Sequence, residues 1–168
     1  MAKTYLDQLV EYPAKIIQKI AEDKYCVGLL VNKRFDNVTE DDYDTVLEEN
    51  IFDYQYVDET TQQSAAYVWA EAEVGYVSNA QIKDMKIYVT VACHKTYMKL
   101  DRSKFSGTTG NRKDNLVRYI DRLLNNSNLM GIGTLKLDSV KTLSPINGFT
   151  IREITYNVPD FNIVELRE

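Results

Sequence analysis

The sequence predicts an α+β fold: a mostly antiparallel sheet with an amphipathic helix packed on one face and a helical segment at the N-terminus. Three observations support this prediction. The chain has 168 residues, 44% of them hydrophobic and 27% charged, which suits one domain spanning residues 1–168 with its own core. Two runs alternate apolar and polar residues with the period of a strand. A later segment repeats apolar residues with the period of a helix.

The N-terminal part contains the helical segment and a short apolar run. Apolar residues recur from Leu6 to Ile20 at helical spacing, and Pro13 interrupts them, which predicts a short turn that leads into a second helix. Residues 25–31 (YCVGLLV) are few and apolar, and we expect them to form a buried strand.

Residues 40–59 form an acidic segment that contains nine Asp or Glu residues and no Lys or Arg. Thr39 and Asp42 have the spacing of a capping box, and acidic residues in a first turn favour the positive end of a helix dipole. The spacing therefore predicts a short helix over residues 40–50. The acidic segment as a whole is either a solvated face or one half of a contact with a basic surface.

The middle of the chain contains two alternating runs. In SAAYVWAEAEVGYV, Val68 and Ala70 belong to one face and Trp69 and Glu71 to the other. The run that follows alternates in the same way as far as His94, and we expect the two strands to pair in antiparallel orientation.

Residues 95–110 have no sustained period, carry four Lys or Arg residues and end in glycines, so they predict a long exposed loop. We expect this loop to be mobile in the free subunit and to become ordered on assembly. On that view Phe105→Ala, combined with charge reversal at Arg102 and Lys104, leaves the melting temperature nearly unchanged and lowers incorporation. The alternative is that the aromatic residues of the loop pack on the chain's own core.

An amphipathic helix follows the loop. Asn111 is its expected N-cap, and the stripe that contains Leu116 and Ile120 is expected to pack on the sheet. Arg112 and Lys113 are assigned to its polar face. Two more strands, GTLKLDSVKTL and GFTIREITYNV, complete the predicted sheet.

The residue pattern indicates no catalytic, cofactor or metal site. His94 is the only histidine, and no Ser or Cys is spaced to form an evident triad with it. Cys26 and Cys93 lie inside apolar runs, which predicts reduced, buried thiols and assembly in a cytoplasm. A net charge of −5 argues against a duplex-binding protein, and no apolar run is long enough to predict a membrane span. A small hydrolase or nucleotide-binding enzyme remains the alternative from a different class.

The second half of the chain, from about Lys86 to Asn162, resembles the tail-completion and neck proteins of tailed bacteriophages and prophage particles. Four segments carry the resemblance: IYVTVACHKTYM, GNRKDNLVRYIDRLLNNS, GIGTLKLDSVKTL and FTIREITYNVPDFN. The arrangement is similar to that of tail terminators, whose subunits close into a ring, usually a hexamer, at the head-proximal end of the tail tube.

The resemblance implies a virion structural protein of the neck or tail, assembled in the bacterial host cytoplasm, with no enzymatic activity and no cofactor. Its partners would be further copies of itself, the tail tube protein and the head-tail connector or head-closure protein, with DNA only as passing cargo. A head-closure protein or another neck connector subunit is the alternative within this class.

A ring contact joins two different surfaces of one subunit. The acidic segment 40–59 and the basic region 95–122 are the two surfaces that the sequence offers for such a contact. The candidate interface residues within them are Tyr54, Tyr56, Tyr97, Met98, Arg102, Lys104 and Phe105.

Overall fold

The computed structural model describes residues 5–74, 85–128 and 134–158. Within these ranges the chain forms four α-helices and five strands. In chain order they are α1 (Tyr5–Ala21), α2 (Lys24–Leu30), α3 (Glu40–Glu49), β1 (Ile51–Phe52), β2 (Ala66–Val74), β3 (Met85–His94), α4 (Arg112–Leu124), β4 (Lys136–Ile146) and β5 (Phe149–Val158). Single turns of 3₁₀ helix lie at Phe35–Asn37 and Lys95–Tyr97.

The strands form one sheet in the order β1-β2-β3-β5-β4. The short strand β1 runs parallel to β2, and every other pair is antiparallel. Helix α1 packs on β2, while α4 packs on β3 and β5, so helices cover one face of the sheet. The predicted α+β architecture, with a mostly antiparallel sheet and helices near the N-terminus, is confirmed.

The predicted pairing of the two alternating runs is also confirmed. Val68 of β2 lies opposite Val91 of β3, and both are buried beneath the helices. The faces differ from the prediction in one respect, because Trp69, assigned to the polar face, is buried too, as is Tyr67 on the same face. The connection after β1 covers them with Val57 and forms a second, smaller core on that face.

Helix α1 corrects the prediction of a turn at Pro13. The helix runs through Pro13 without a break. Proline removes one backbone hydrogen bond from a helix interior. It also makes helical geometry unfavourable for the residues before it. Here Tyr12, Ile16 and Ile20 are all buried on one side of α1, and this continuous apolar stripe holds the helix on the sheet across the proline.

Helix α2 corrects the predicted strand at residues 25–31. Asp23 caps the helix, and its Oδ1 accepts hydrogen bonds from the backbone N–H groups of Tyr25 (3.0 Å) and Cys26 (2.9 Å). Every residue from Cys26 to Leu30 is buried. A segment buried on all sides shows no helical period, so periodicity could not distinguish this helix from a strand.

The remaining two helices begin where the sequence predicts. Thr39 and Asp42 form a capping box at the start of α3. Asn111 caps α4, and its side chain accepts a hydrogen bond of 2.9 Å from the Asp114 N–H. The stripe of α4 that was expected to pack on the sheet is buried, with Ile120 fully inaccessible.

Candidate subunit interfaces

The segment between β3 and α4 is anchored to the body of the subunit through Arg112. This side chain, assigned to the polar face of α4, is only 2% exposed. Its guanidinium donates hydrogen bonds to the backbone oxygens of Leu29 and Tyr97 and to Asn32 Oδ1. It also lies over the Tyr97 ring, 4.0 Å from the centroid. Because burial disfavours a charged group, it lowers the pKa of Arg112.

Phe105 corrects the view of residues 95–110 as simply an exposed loop. Phe105 is 2% exposed, and the centroid of its ring lies 5.4 Å from the centroid of the Phe35 ring. The neighbouring Leu100 is buried as well, whereas most polar residues of the segment are exposed. Phe105 therefore packs in the chain's own core, so the expectation that Phe105→Ala leaves stability nearly unchanged no longer stands.

Three more candidate interface residues in this segment also contact their own chain. The Tyr97 hydroxyl donates to the Leu30 backbone oxygen at 2.9 Å, and half-buried Met98 lies with its sulfur 3.6 Å from the Thr150 hydroxyl. Lys104 Nζ donates to the Asn32 backbone oxygen at 3.0 Å. Arg102, by contrast, is exposed.

The two candidate tyrosines of the acidic segment differ in exposure. Tyr54 is 54% exposed, which is high for a large aromatic side chain. Tyr56 is half-buried and stacks on Phe52, with 4.1 Å between the ring centroids. Tyr54 is thus available to a partner, while Tyr56 supports the aromatic cluster beside it.

The acidic segment 40–59 and the basic region 95–122 approach each other within one subunit at one point. Lys33 Nζ binds the carboxylate of Asp42 at 2.7 Å, and the adjacent Asn32 accepts the hydrogen bond from Lys104. Asn32 and Lys33 therefore link the start of the acidic segment 40–59 to Lys104 of the basic region 95–122.

Strand β4 presents an apolar surface that sequence reasoning did not identify. Along its eleven residues, all but Ser139 and Ile146 are exposed. Leu137, Val140 and Leu143 are 40%, 44% and 36% exposed. The sequence predicted a strand here, but no sequence signal showed that helices cover β2, β3 and β5 and leave β4 open.

The two edges of the sheet carry different charges. At one edge, the exposed residues Lys136 and Lys141 belong to β4. At the other edge, exposed Glu48 and Glu49 precede β1 and exposed Asp53 follows it. In the part of the chain that the structure describes, none of these five side chains forms an ion pair.

The cysteines and the histidine occupy packed positions. Both thiols are free and buried, and burial raises the pKa of Cys93 to about 12 and that of Cys26 well above its ordinary value. His94 Nδ1 is hydrogen-bonded to Thr96 Oγ1 at 2.7 Å, and its ring meets Phe149 edge-on. Among the described residues, no three His, Cys, Asp or Glu side chains cluster closely enough to hold a metal ion.

The fold is that of a small α+β protein, and its open edge strand is a surface suited to protein contacts. The family model named YomW matches residues 23–158, and the chain belongs to the YomW family. This is a family of prophage-type proteins derived from Bacillus phages, so membership indicates a phage-associated protein. No curated protein matches the sequence. Within the described ranges, no helix is both long enough and apolar enough to cross a membrane.

Proposed function

We propose that the protein is a structural component of the phage virion, without catalytic activity, that forms a ring at the head-tail junction and acts there as the tail terminator. Two lines of argument support the proposal. Family membership associates the chain with phages. The resemblance of residues 86–162 to tail-completion proteins implies the neck of the particle and a ring that is usually hexameric.

The observation that carries the proposal is the long strand β4 at the edge of the sheet, which exposes three apolar side chains. Long exposed edge strands are templates for pairing with another chain, and soluble monomers commonly shorten, charge or cover them. Strand β4 carries Lys136, Asp138, Lys141 and Pro145, but it is long and uncovered, and Leu137, Val140 and Leu143 stay exposed. Such an exposed strand is expected in a subunit that spends most of its time in an assembly, where a neighbouring chain covers the strand.

A ring also needs two different surfaces, because each subunit contacts one neighbour through one surface and the other neighbour through another. The opposite edges of this sheet meet that requirement. The β4 edge carries three exposed apolar side chains, two lysines without an ion-pair partner in the described residues, and Asp138, which pairs with Lys86, whereas the β1 edge is acidic and carries Tyr54. The partners we propose beyond the ring are the tail tube protein on one side and the connector or head-closure protein on the other.

Localisation on the particle tests this function. A labelled copy of the protein should be found as a ring at the head-proximal end of isolated tails in electron micrographs, and native mass spectrometry of detached rings should give a single closed stoichiometry. Copies found between the connector and the tail ring would favour a head-closure role instead. Tails and whole particles that lack the protein altogether would overturn the assignment to the virion.

A further inference from the structure

We propose that neighbouring copies in the ring meet edge to edge, with β4 of one copy lying along the acidic β1 edge of the next. This inference rests on the proposed ring and names the two surfaces that build it. The β4 edge is defined by Lys136–Ile146, and the acidic edge by β1 with Glu48, Glu49, Asp53 and Tyr54.

Among the described residues, one side of β4 has no strand neighbour. β4 is the outermost strand next to β5, and its eleven residues span about 35 Å at the usual rise of a strand. An edge strand has a row of backbone N–H and C=O groups that no strand of its own sheet pairs. The second edge of the same sheet is β1, only two residues long, so the acidic residues around it dominate that surface.

The exposed apolar residues of β4 lie on both faces of the strand. Val140 lies opposite Ile154, which is buried under the helices, so Val140 belongs to the helix-covered face. Leu143 lies opposite Ile151, which belongs to the second core on the other face. A partner that covers only one face would leave one of these side chains in water, so a partner lying along the edge buries more apolar area.

Charge identifies a second copy as the occupant. Lys136 and Lys141 lie opposite Asn157 and Glu153 of β5, and both therefore point to the face without helices. No ion pair within the described residues involves either lysine. The acidic edge offers three carboxylates that are likewise unpaired there, and the exposed ring of Tyr54 is suited to cover an apolar strand.

A two-fold β4–β4 contact is the competing arrangement. It would place the lysines of two copies along one shared edge and would leave the acidic edge unused. A two-fold contact also closes a dimer and not a ring, because the same surface is consumed on both subunits. The two arrangements make opposite predictions for charge reversal at the acidic edge.

Charge exchange between the two edges tests the inference. One variant carries Lys136→Glu and Lys141→Glu, and a second carries Glu48→Lys, Glu49→Lys and Asp53→Lys. Each alone is expected to lower ring formation on tails at least tenfold, because like charges then face each other. A 1:1 mixture should restore rings in which the two variants alternate, since every contact again joins opposite charges.

Lys19→Glu with Lys24→Glu, on the helical layer, is the matched control and should assemble as the wild type does. Circular dichroism melting checks that each variant is folded. If wild-type rings form and the β4 reversal does not weaken them, the edge contact is wrong while the ring stands. If reversal at the acidic edge has no effect, the two-fold contact is favoured, because that contact leaves the acidic edge unused. Absence of wild-type rings both in solution and on tails would overturn the proposed function together with this inference.

Discussion

Regular strands are usually buried and irregular segments exposed, but the segment 95–110 and strand β4 show the reverse. The segment has no helix or strand longer than a single 3₁₀ turn, yet Phe105 lies in the core and Arg112 holds its backbone. Strand β4 extends over eleven residues with two register shifts, yet most of it is exposed. Periodicity reports the local backbone conformation, whereas burial depends on what lies across from an element. A surface available to partners is therefore not necessarily an irregular one.

The largest effect should come from placing a charge beneath the helices. Ile120 is fully buried between α4 and the sheet. Ile120→Asp would bury an unpaired carboxylate, and that cost exceeds the roughly 5 kcal/mol at the lower end of domain stability. We expect the variant to be unfolded by circular dichroism at room temperature. A folded variant with an unchanged melting temperature would refute the packing of α4 described above.

Phe105→Ala tests directly whether the segment 95–110 belongs to the core. Removing a buried phenylalanine ring typically costs about 3 to 5 kcal/mol. Arg102→Ala, in the same segment but exposed, is the control and should stay within about 0.5 kcal/mol of the wild type. Urea unfolding measures both changes. Equal stability of the two variants would restore the view of a loop that is ordered only on assembly.

Arg112→Lys tests the anchor while it keeps the positive charge. Lysine lacks the planar guanidinium that donates hydrogen bonds to Leu29, Tyr97 and Asn32. At least one buried acceptor therefore loses its hydrogen bond in the variant. We expect a loss of about 2 kcal/mol in the free energy of unfolding. Hydrogen exchange should accelerate in residues 95–110 more than in the sheet. Unchanged exchange there would show that Arg112 does not hold the segment.

Asp42 connects stability to pH at the start of α3. Burial by itself would raise the pKa of Asp42, but hydrogen bonds from Lys33 and from the backbone and side chain of Thr39 outweigh it and lower the pKa. A carboxyl whose pKa is lower in the folded state stabilises the protein fully above its unfolded pKa of about 4. That contribution disappears as the pH falls through the folded pKa.

Asp42→Asn should therefore cost about 1 kcal/mol at neutral pH. Its melting temperature should also fall less steeply than that of the wild type as the pH decreases below about 4. Asp41→Asn, which changes an exposed neighbour, is the control. Parallel pH profiles for the wild type and Asp42→Asn would contradict the role of this capping carboxylate.

The smallest effect on stability is expected on β4. Val140 is 44% exposed, more than Leu137 or Leu143, so Val140→Asp should change the free energy of unfolding by no more than about 0.5 kcal/mol. Its effect should appear in ring assembly, where the carboxylate would be buried against a neighbour. Normal incorporation into tails together with normal stability would exclude β4 from the contact.

The sequence by itself determined the elements whose signals are local. The Thr39–Asp42 spacing, the Asn111 cap and the alternation of β2 and β3 each predicted structure that the fold confirms. Capping bonds join residues three apart, and strand alternation follows from the pleat, so neither needs information from distant parts of the chain.

Only the tertiary structure decided which of these elements are covered. Residues 26–30 of α2 are buried, so their pattern shows no helical period, and α1 passes through Pro13 because a continuous apolar stripe holds it on the sheet. Arg112 is buried because the backbone oxygens of Leu29 and Tyr97, which lie far apart in the chain, both accept hydrogen bonds from its guanidinium. Strand β4 stays open because the helices stop short of it. Each outcome depends on contacts between residues distant in sequence, and local patterns do not encode such contacts.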